Sequence, residues 1–294
     1  MRTSMTPWLL TLMITIAMLT VAGCEDPVPT DYEEKFVFTG YLIVDDPIDG
    51  ITVTRSLPPL DSFDVAASTV DDAQITIRSE SDTIELEYLP GLDGRGSYRA
   101  VDQTKRVEPE TTYFMEARLP DGTTLSAATT TPERIEWIQA PRPLLQYPLD
   151  TINLPSPDSL KLIWTKAEGI DEYLISVHAL DTIEYGAYLE PQTAEKNRRI
   201  ERFFEANAPR YDDVIRWGFV QNSEVNVVWF AFKWFGKHEI SVYAPDEAML
   251  EWFKQVRFGG NQYQPLLSNI EGGLGVFGSA AVARQEGFVL KNQP

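Results

Sequence analysis

The sequence predicts a mainly β protein built from two β-sandwich domains, with one or two helices in the second. Short runs of alternating apolar and polar residues favour strands, and turn-forming residues separate these runs. A proline-rich stretch in the middle of the chain is unsuited to a central strand. With 294 residues, the chain is long enough for about two domains. We expect domains over residues 35–132 and 159–294, joined by a linker over 133–158.

The first 23 residues have the pattern of a signal peptide. Arg2 precedes an apolar run of about 14 residues, Trp8–Val21, which is too short to span a membrane. Leu19–Cys24 resembles a lipobox, in which two small residues precede a cysteine. Cys24 is the only cysteine, and an ordinary secretory signal would leave it as an unpaired reactive thiol. We predict that residues 1–23 are removed and that Cys24 takes a diacylglyceryl lipid with palmitate-type chains.

Residues 24–34 are predicted to be an acidic tether between the lipid and the fold. This stretch has carboxylates and prolines but almost nothing to bury. Glu25 and Asp26, directly after the lipidated cysteine, resemble the acidic surface-export signals of some Gram-negative lipoproteins. The alternative is a merely soluble linker. The first interpretation places the protein on the outside of the outer membrane; the second leaves the periplasmic face open.

Seven β-like runs fill the first domain. Pro120-Asp121-Gly122 lies between the last two and predicts a hairpin turn. Seven short strands within about 100 residues are typical of an immunoglobulin-like sandwich. The runs are Phe36–Ile43, Ile51–Arg55, Ala73–Arg78, Thr83–Tyr88, Tyr98–Val101, Thr112–Leu119 and Thr123–Thr130.

The second domain begins with two runs that look like the second and third strands of a fibronectin-type sandwich. They are Leu160–Trp164 and Tyr173–Val177, joined across Glu168-Gly169. We expect Trp164 to fill the core between the sheets.

Ala194–Ala206 is predicted to be a helix, although a strand remains an alternative. Ile200, Phe203 and Phe204 have helical spacing, and basic residues surround them. The basic cluster is either a docking face for an acidic partner or a solvated surface paired with nearby carboxylates. Its members are Lys196, Arg198, Arg199 and Arg202.

Val225–Phe235 is predicted to be a strand covered on both faces, because both of its parities carry large apolar side chains. Pro245 begins a predicted helix whose stripe Met249, Trp252, Phe253 and Val256 would cover one face of that strand. The aromatic row Phe230, Phe232 and Trp234 is therefore either core or a stacking platform for sugars.

Composition limits the possible partners. The formal net charge is −19, which repels nucleic acid and anionic head groups. With a single cysteine, the chain cannot form an internal disulfide, so burial of apolar area has to supply the stability.

The sequence contains no complete catalytic, cofactor or metal motif. Gly273–Gly278 has the G-x-G-x-x-G pattern, but too few residues follow it for a dinucleotide-binding unit. The chain has only two histidines, His178 and His238, which excludes a histidine-rich metal site. Asp45, Asp46 and Asp49, which precede Gly50, lack the alternate-residue spacing of a calcium loop and indicate a turn. We expect no cofactor.

Three stretches carry a family resemblance: Glu34–Tyr41, Thr52–Ser56 and Ser268–Gly278, all after the lipobox. Their order is similar to that in the Gram-negative lipoproteins of domain of unknown function 4249. The resemblance implies an outer-membrane lipoprotein that accompanies a TonB-dependent transporter, and it implies no catalytic residues.

The glycine-rich segment near the C-terminus is the predicted place of partner or ligand contact. Glycines at this density let a backbone approach a neighbour closely or adopt positive φ. A structural plug and a binding loop both fit this pattern. The candidate residues are Asn269, Glu271, Gly272, Gly273, Gly275 and Gly278.

Three functional hypotheses follow. The first is a non-enzymatic binding or accessory lipoprotein whose partners are the membrane and an outer-membrane transporter or surface protein. The second is a cell-surface adhesion or structural module. The third is a carboxylate-dependent hydrolase, because 44 acidic residues always include some close pairs.

Overall fold

Strands dominate the part of the chain that the structure describes. The computed structural model describes residues 32–58, 64–148, 160–180, 185–196, 199–200, 214–257, 259 and 267–291. The strands are β1 Phe36–Ile43, β2 Thr52–Arg55, β3 Gln74–Arg78, β4 Thr83–Leu89, β5 Ser97–Ala100, β6 Thr112–Arg118, β7 Thr124–Thr130, β8 Trp137–Gln139, β9 Leu144–Gln146, β10 Leu162–Trp164, β11 Glu172–Ala179, β12 Ile215–Gln221, β13 Glu224–Val225, β14 Gly236–Pro245 and β15 Leu274–Leu290. The described helices are α1 Val65–Ser68 and α2 Glu247–Arg257, with 3-10 turns at Leu92–Gly94, Tyr185–Tyr188 and Trp229–Ala231. The mainly β, sandwich-like fold class is confirmed.

The seven runs predicted before residue 132 all form strands. In β1, Phe36, Phe38, Gly40 and Leu42 are buried, and the residues that alternate with them are half-buried. This alternation follows from the two-residue period of a strand. The predicted turn also forms: the Gly122 amide donates to the Leu119 carbonyl at 3.0 Å, and Gly122 has φ +90°.

Strands β3 to β7 form a five-stranded antiparallel sheet in the order β5-β4-β3-β6-β7. A three-stranded sheet has the order β13-β10-β8. The largest sheet has the order β12-β11-β14-β15-β1-β2, and β9 also pairs with the end of β15.

The largest sheet joins strands from early and late in the described part of the chain. β1 pairs in parallel with β15, from Val37 opposite Leu274 to Ile43 opposite Ala280. β1 and β2 therefore lie in one sheet with β11, β12 and β14, although they precede the predicted domain boundary near residue 132. Lys35–Ser56 and Phe63–Pro294 form a single compact unit.

The alternation of β15 assigns its two faces to different layers. Phe277 packs in the core under the five-stranded sheet, and Ala281 and Ala283 pack in the core that contains the three-stranded sheet. Ala280, of opposite parity, packs against α2. One face of the large sheet is thus covered by the two smaller sheets and the other face by α2.

The predicted fibronectin-type strand pair is divided between two of these layers. β10 lies in the three-stranded sheet, and β11 lies in the large sheet. Trp164 is fully buried between them and its ring packs edge-on against Tyr173 at 5.4 Å. The expected core role of Trp164 is confirmed.

The predicted strand Val225–Phe235 is wrong. Only Glu224–Val225 forms a strand, followed by the 3-10 turn Trp229–Ala231. Large apolar side chains occur at both odd and even positions because the segment bends and packs against the core as a loop. Phe232 and Trp234 are buried there, so these two members of the aromatic row are core, whereas Phe230 is 60% exposed.

Helix α2 forms as predicted, but its predicted partner is wrong. Met249 packs against Leu174 and Ala280 of the large sheet, on the face opposite the Val225–Phe235 segment. Pro245 ends β14 and does not open the helix, which begins at Glu247. The carboxylate of Asp246 caps the first turn by accepting from the Met249 amide at 2.8 Å.

Most of the predicted basic helix over 194–206 lies outside the described residues. Arg198 and Arg202 are among the residues that the structure does not describe. Ala194–Lys196 is not helical, and Arg199 forms an isolated β-bridge with Trp234. Among the helices that are described, none has the length and apolar character needed to cross a membrane.

Candidate functional site

The glycine-rich candidate segment forms a turn followed by the start of β15, and not the predicted loop. Glu271–Gly273 lie in the turn, and Gly275 and Gly278 lie within the strand. Gly275 has φ +117°, and a Cβ atom there would lie 1.8 Å from the Phe38 carbonyl oxygen. A Cβ atom on Gly278 would lie 2.9 Å from the Met249 backbone nitrogen. These two glycines therefore allow β1 and α2 to approach β15 from different sides.

The side chain of Asn269 binds the backbone of the same strand. Its Nδ2 donates to the Phe277 carbonyl at 2.8 Å, and its Oδ1 accepts from the Phe277 amide at 3.0 Å. A side-chain amide thus satisfies both backbone groups of one strand residue, as a neighbouring strand would.

Glu271 covers the edge of the five-stranded sheet. Its backbone exchanges hydrogen bonds with Ser126 of β7 at 2.8 and 3.1 Å, and its carboxylate accepts from the Ser126 hydroxyl at 3.2 Å. The turn also packs tightly here, since a Cβ atom on Gly272 would lie 2.3 Å from the Thr124 carbonyl oxygen, and one on Gly273 would lie 2.8 Å from that of Phe36. The candidate residues are brought together, and the contacts they make are those of a joint between sheets.

Asp246 forms a second joint that the sequence analysis missed. The Thr129 hydroxyl donates to its Oδ2, the Ser279 hydroxyl lies 3.3 Å from the same oxygen, and the Asp246 amide donates to the Ser279 carbonyl at 2.8 Å. Burial raises the pKa of the Asp246 carboxyl above its usual range, against the opposing effect of these hydrogen bonds. Burial and the nearby Asp246 raise the pKa of Tyr41 to about 12. The only sequence signal was an Asp at a helix start, which does not reveal partners in β7 and β15.

Two aspartates of the predicted turn, Asp45 and Asp46, form ion pairs with arginines. Arg134 contacts both carboxylate oxygens of Asp45 at 2.7 and 2.8 Å, and Arg284 contacts those of Asp46 at 2.5 and 3.1 Å. The Arg134 guanidinium lowers the pKa of Asp45. Within the described residues, no group of three His, Cys, Asp or Glu side chains is placed to hold a metal ion.

The arrangement best suited to ligand binding is an apolar cavity of about 480 Å³ between β12 and the segment after it. Its floor includes Ile175 and Val177 of β11 together with Gly218 of β12, and its roof is formed by residues 225–233. Gly218 leaves the space open, since a Cβ atom there would meet no atom within 4 Å. The volume lies within the range of about 300 to 1,000 Å³ that is usual for small-molecule sites.

The wall of the cavity is mainly apolar, with two charged side chains. Among the described residues that line it, the charged side chains are Arg216 and Lys233, both half-buried, and no carboxylate lines it. The exposed ring of Phe230 also lines it. The arrangement suits a ligand with an apolar body.

The sequence analysis pointed to this cavity only through the aromatic row. It did not single out Arg216 or Gly218. The available signal was a glycine inside the alternating run Ile215–Gln221, which marks a strand position with no side chain to pack.

Comparison with known proteins places the chain in a family. The model of a domain of unknown function (DUF4249) matches residues 25–286. The chain belongs to this family. No curated protein matches the chain. One similar solved structure is the crystal structure of the FN1–FN3 domains of chicken CNTN1, with 9% identity and a TM-score of 0.20 over 88% of this chain and 68% of that one.

Proposed function

We propose that this DUF4249 protein is a non-enzymatic lipoprotein of the outer membrane that binds a ligand or partner at the cell surface. Lipid on Cys24 anchors it, and it serves as an accessory to a TonB-dependent transporter. The observation that carries the proposal is the lipobox-like pattern Leu19–Cys24, which contains the only cysteine and is followed by an acidic stretch.

The extent of the family match supports this assignment of the N-terminus. The match begins at residue 25, directly after Cys24, so the leader lies outside the shared region. The compact unit begins at Lys35.

The fold supports a binding role more than a catalytic one. Its large cavity is mainly apolar, and the polar groups of Asn269, Glu271 and Asp246 are engaged in holding sheets together. A rigid β scaffold with an apolar cavity is suited to selecting a ligand by shape and burial.

Lipidation is tested by intact-mass measurement on the protein purified from a Gram-negative host. We expect the wild type to lack residues 1–23 and to carry a lipid on Cys24. The matched Cys24→Ser variant should carry none and should leave the outer-membrane fraction. An unmodified Cys24 in a processed chain, or a retained leader, would overturn the anchor.

Membrane face and partner are tested separately. Protease added to intact cells should degrade the wild-type protein if it faces the exterior. Cross-linking in the cells that naturally make the protein should recover it with an outer-membrane transporter. A lipidated, surface-exposed protein that cross-links to no transporter would leave the anchor standing and refute the accessory role.

A further inference from the structure

We propose that the cavity beneath residues 225–233 binds an anionic single-chain amphiphile, of the class of a free fatty acid, with its carboxylate at Arg216 and Lys233. This inference names a ligand class for the binding role proposed above and rests on that role, but not on the lipid anchor. The cavity geometry and the distribution of charge carry it.

The alternation of β12 is what opens the cavity. Val220 packs with the core that contains the three-stranded sheet, whereas Trp217 and Phe219 pack on the side of α2. Gly218 shares the parity of Val220, so it leaves a vacancy in the core layer and not on the helix side. The absence of a side chain at this one position removes the atoms that would otherwise fill the space.

The roof leaves apolar surface uncovered. Phe230 is 60% exposed and Val228 is 36% exposed, although both belong to a segment whose other large side chains, such as Phe232, are buried. Keeping such surface in water is unfavourable, so a ligand with an apolar chain is stabilised by covering it.

The charges select the head group. The chain has a formal net charge of −19, yet the charged side chains lining this cavity in the described part of the chain are both cations. Arg216 and Lys233 also interact with other groups of the chain. Beside an apolar wall, a guanidinium and an ammonium favour a carboxylate over a neutral or cationic head group.

Hydrogen bonds hold the backbone that carries Lys233 and Arg216. Its carbonyl accepts from the Ile200 amide at 3.1 Å, and the next residue, Trp234, is buried and forms a β-bridge with Arg199. Arg216 lies on β12, which pairs with β11 from Glu172 to His178. Both cationic residues therefore belong to backbone segments that hydrogen bonds hold in place.

The test measures displacement of the fluorescent anion anilinonaphthalene sulfonate by three ligands with the same alkyl chain: dodecanoate, dodecanol and dodecyltrimethylammonium. The full chain with Cys24→Ser is used, because the protein's own lipid would compete. We expect dodecanoate to bind at least about tenfold more tightly than the other two, as hydrogen bonds to charged groups allow. Equal affinity for all three ligands, or displacement by none, would refute the proposal.

Two variants locate the site. Gly218→Phe fills the cavity and should abolish dodecanoate binding while the circular dichroism spectrum is unchanged. Arg216→Gln should remove the preference for dodecanoate over dodecanol while dodecanol still binds. Its matched control is Arg118→Gln on β6, which should change neither affinity. If Gly218→Phe fails to fold, the Arg216→Gln comparison decides alone, and an unchanged head-group preference refutes the assignment.

These outcomes are independent of the lipid anchor. A protein whose mass shows lipid on Cys24 but whose cavity binds no dodecanoate keeps its proposed location and loses the ligand class. A protein that binds dodecanoate through Arg216 but carries no lipid keeps the cavity site and loses the anchor.

Discussion

Gly275 illustrates how single residues set the closest contacts in this fold. The backbone of β15 passes so near to β1 that a methyl group at Gly275 would overlap the Phe38 carbonyl oxygen, and its φ of +117° disfavours any other residue. Asn269 then fixes the same strand through two hydrogen bonds to Phe277. The glycines of this segment thus have a packing role where β15 meets its neighbours.

Replacing Gly275 by alanine should lower the free energy of unfolding by well over 1 kcal/mol, because backbone strain and the overlap with Phe38 act together. Urea unfolding measures the change. The matched control is Gly50→Ala, where φ is +71° but nothing lies within 4 Å of the added methyl group. It should cost only about 1 kcal/mol. Equal costs at the two positions would show that close packing at Gly275 is unimportant.

The carboxyl of Asp246 should make stability depend on pH in a defined direction. Burial raises its folded-state pKa above the ordinary value of 3.8. Its contribution is therefore fully present below the unfolded-state pKa and is lost as the pH rises through the folded-state pKa. The neutral variant Asp246→Asn lacks this titration.

We therefore expect the unfolding free energy of the wild type, minus that of Asp246→Asn, to fall as the pH is raised from below 3.8 through the folded-state pKa and then to level off. Urea unfolding of both proteins across this range measures the difference. A difference that increases with pH would mean that the hydrogen bonds from Thr129 and Ser279 outweigh burial.

At the scale of elements, helix α2 was predicted correctly, but the element against which it packs was not. The apolar stripe forms one face, with Met249 and Trp252 buried. The helix lies across the large sheet, where Phe253 packs edge-on against Trp217 at 5.0 Å. The spacing of apolar residues fixes which face of a helix is buried but leaves the partner open.

Replacing Trp252 by alanine should cost about 3 to 5 kcal/mol of unfolding free energy, because the side chain is 8% exposed. Thermal and urea unfolding measure the loss. Val256→Ala on the same helix is the control: Val256 is 55% exposed, so its replacement should change the stability by less than about 0.5 kcal/mol. A Trp252→Ala protein as stable as the wild type would show that α2 contributes little to the fold.

At the scale of the whole molecule, the pairing of β1 with β15 ties the early strands to the late ones. The core under the five-stranded sheet contains Ile77 of β3 as well as Phe277 of β15. Asp246 adds a polar connection from β7 to the same strand. The two halves share a sheet and a core, and so should unfold together.

Tryptophan fluorescence offers a direct measurement of this coupling, since Trp8 is the only tryptophan before Trp137. Ile77 lies in the half whose described residues contain no tryptophan. Ile77→Ala should lower the free energy of unfolding by about 2 to 5 kcal/mol. We expect this substitution to lower the midpoint of urea unfolding by the same amount whether tryptophan fluorescence or circular dichroism follows the transition. A fluorescence midpoint that stays at the wild-type value would support two independently folding domains.

The sequence by itself determined the local features: the period-two runs of the first seven strands, the turn at Gly122, the stripe of α2 and the pattern around Cys24. Each depends on neighbouring residues, and local geometry fixes which side chains share a face. Only the tertiary structure decided that β1 pairs with β15, that residues 225–235 bend, and that Gly218 leaves a cavity. Strand alternation does not specify a partner, because pairing between distant strands depends on the closure of the whole chain around its cores.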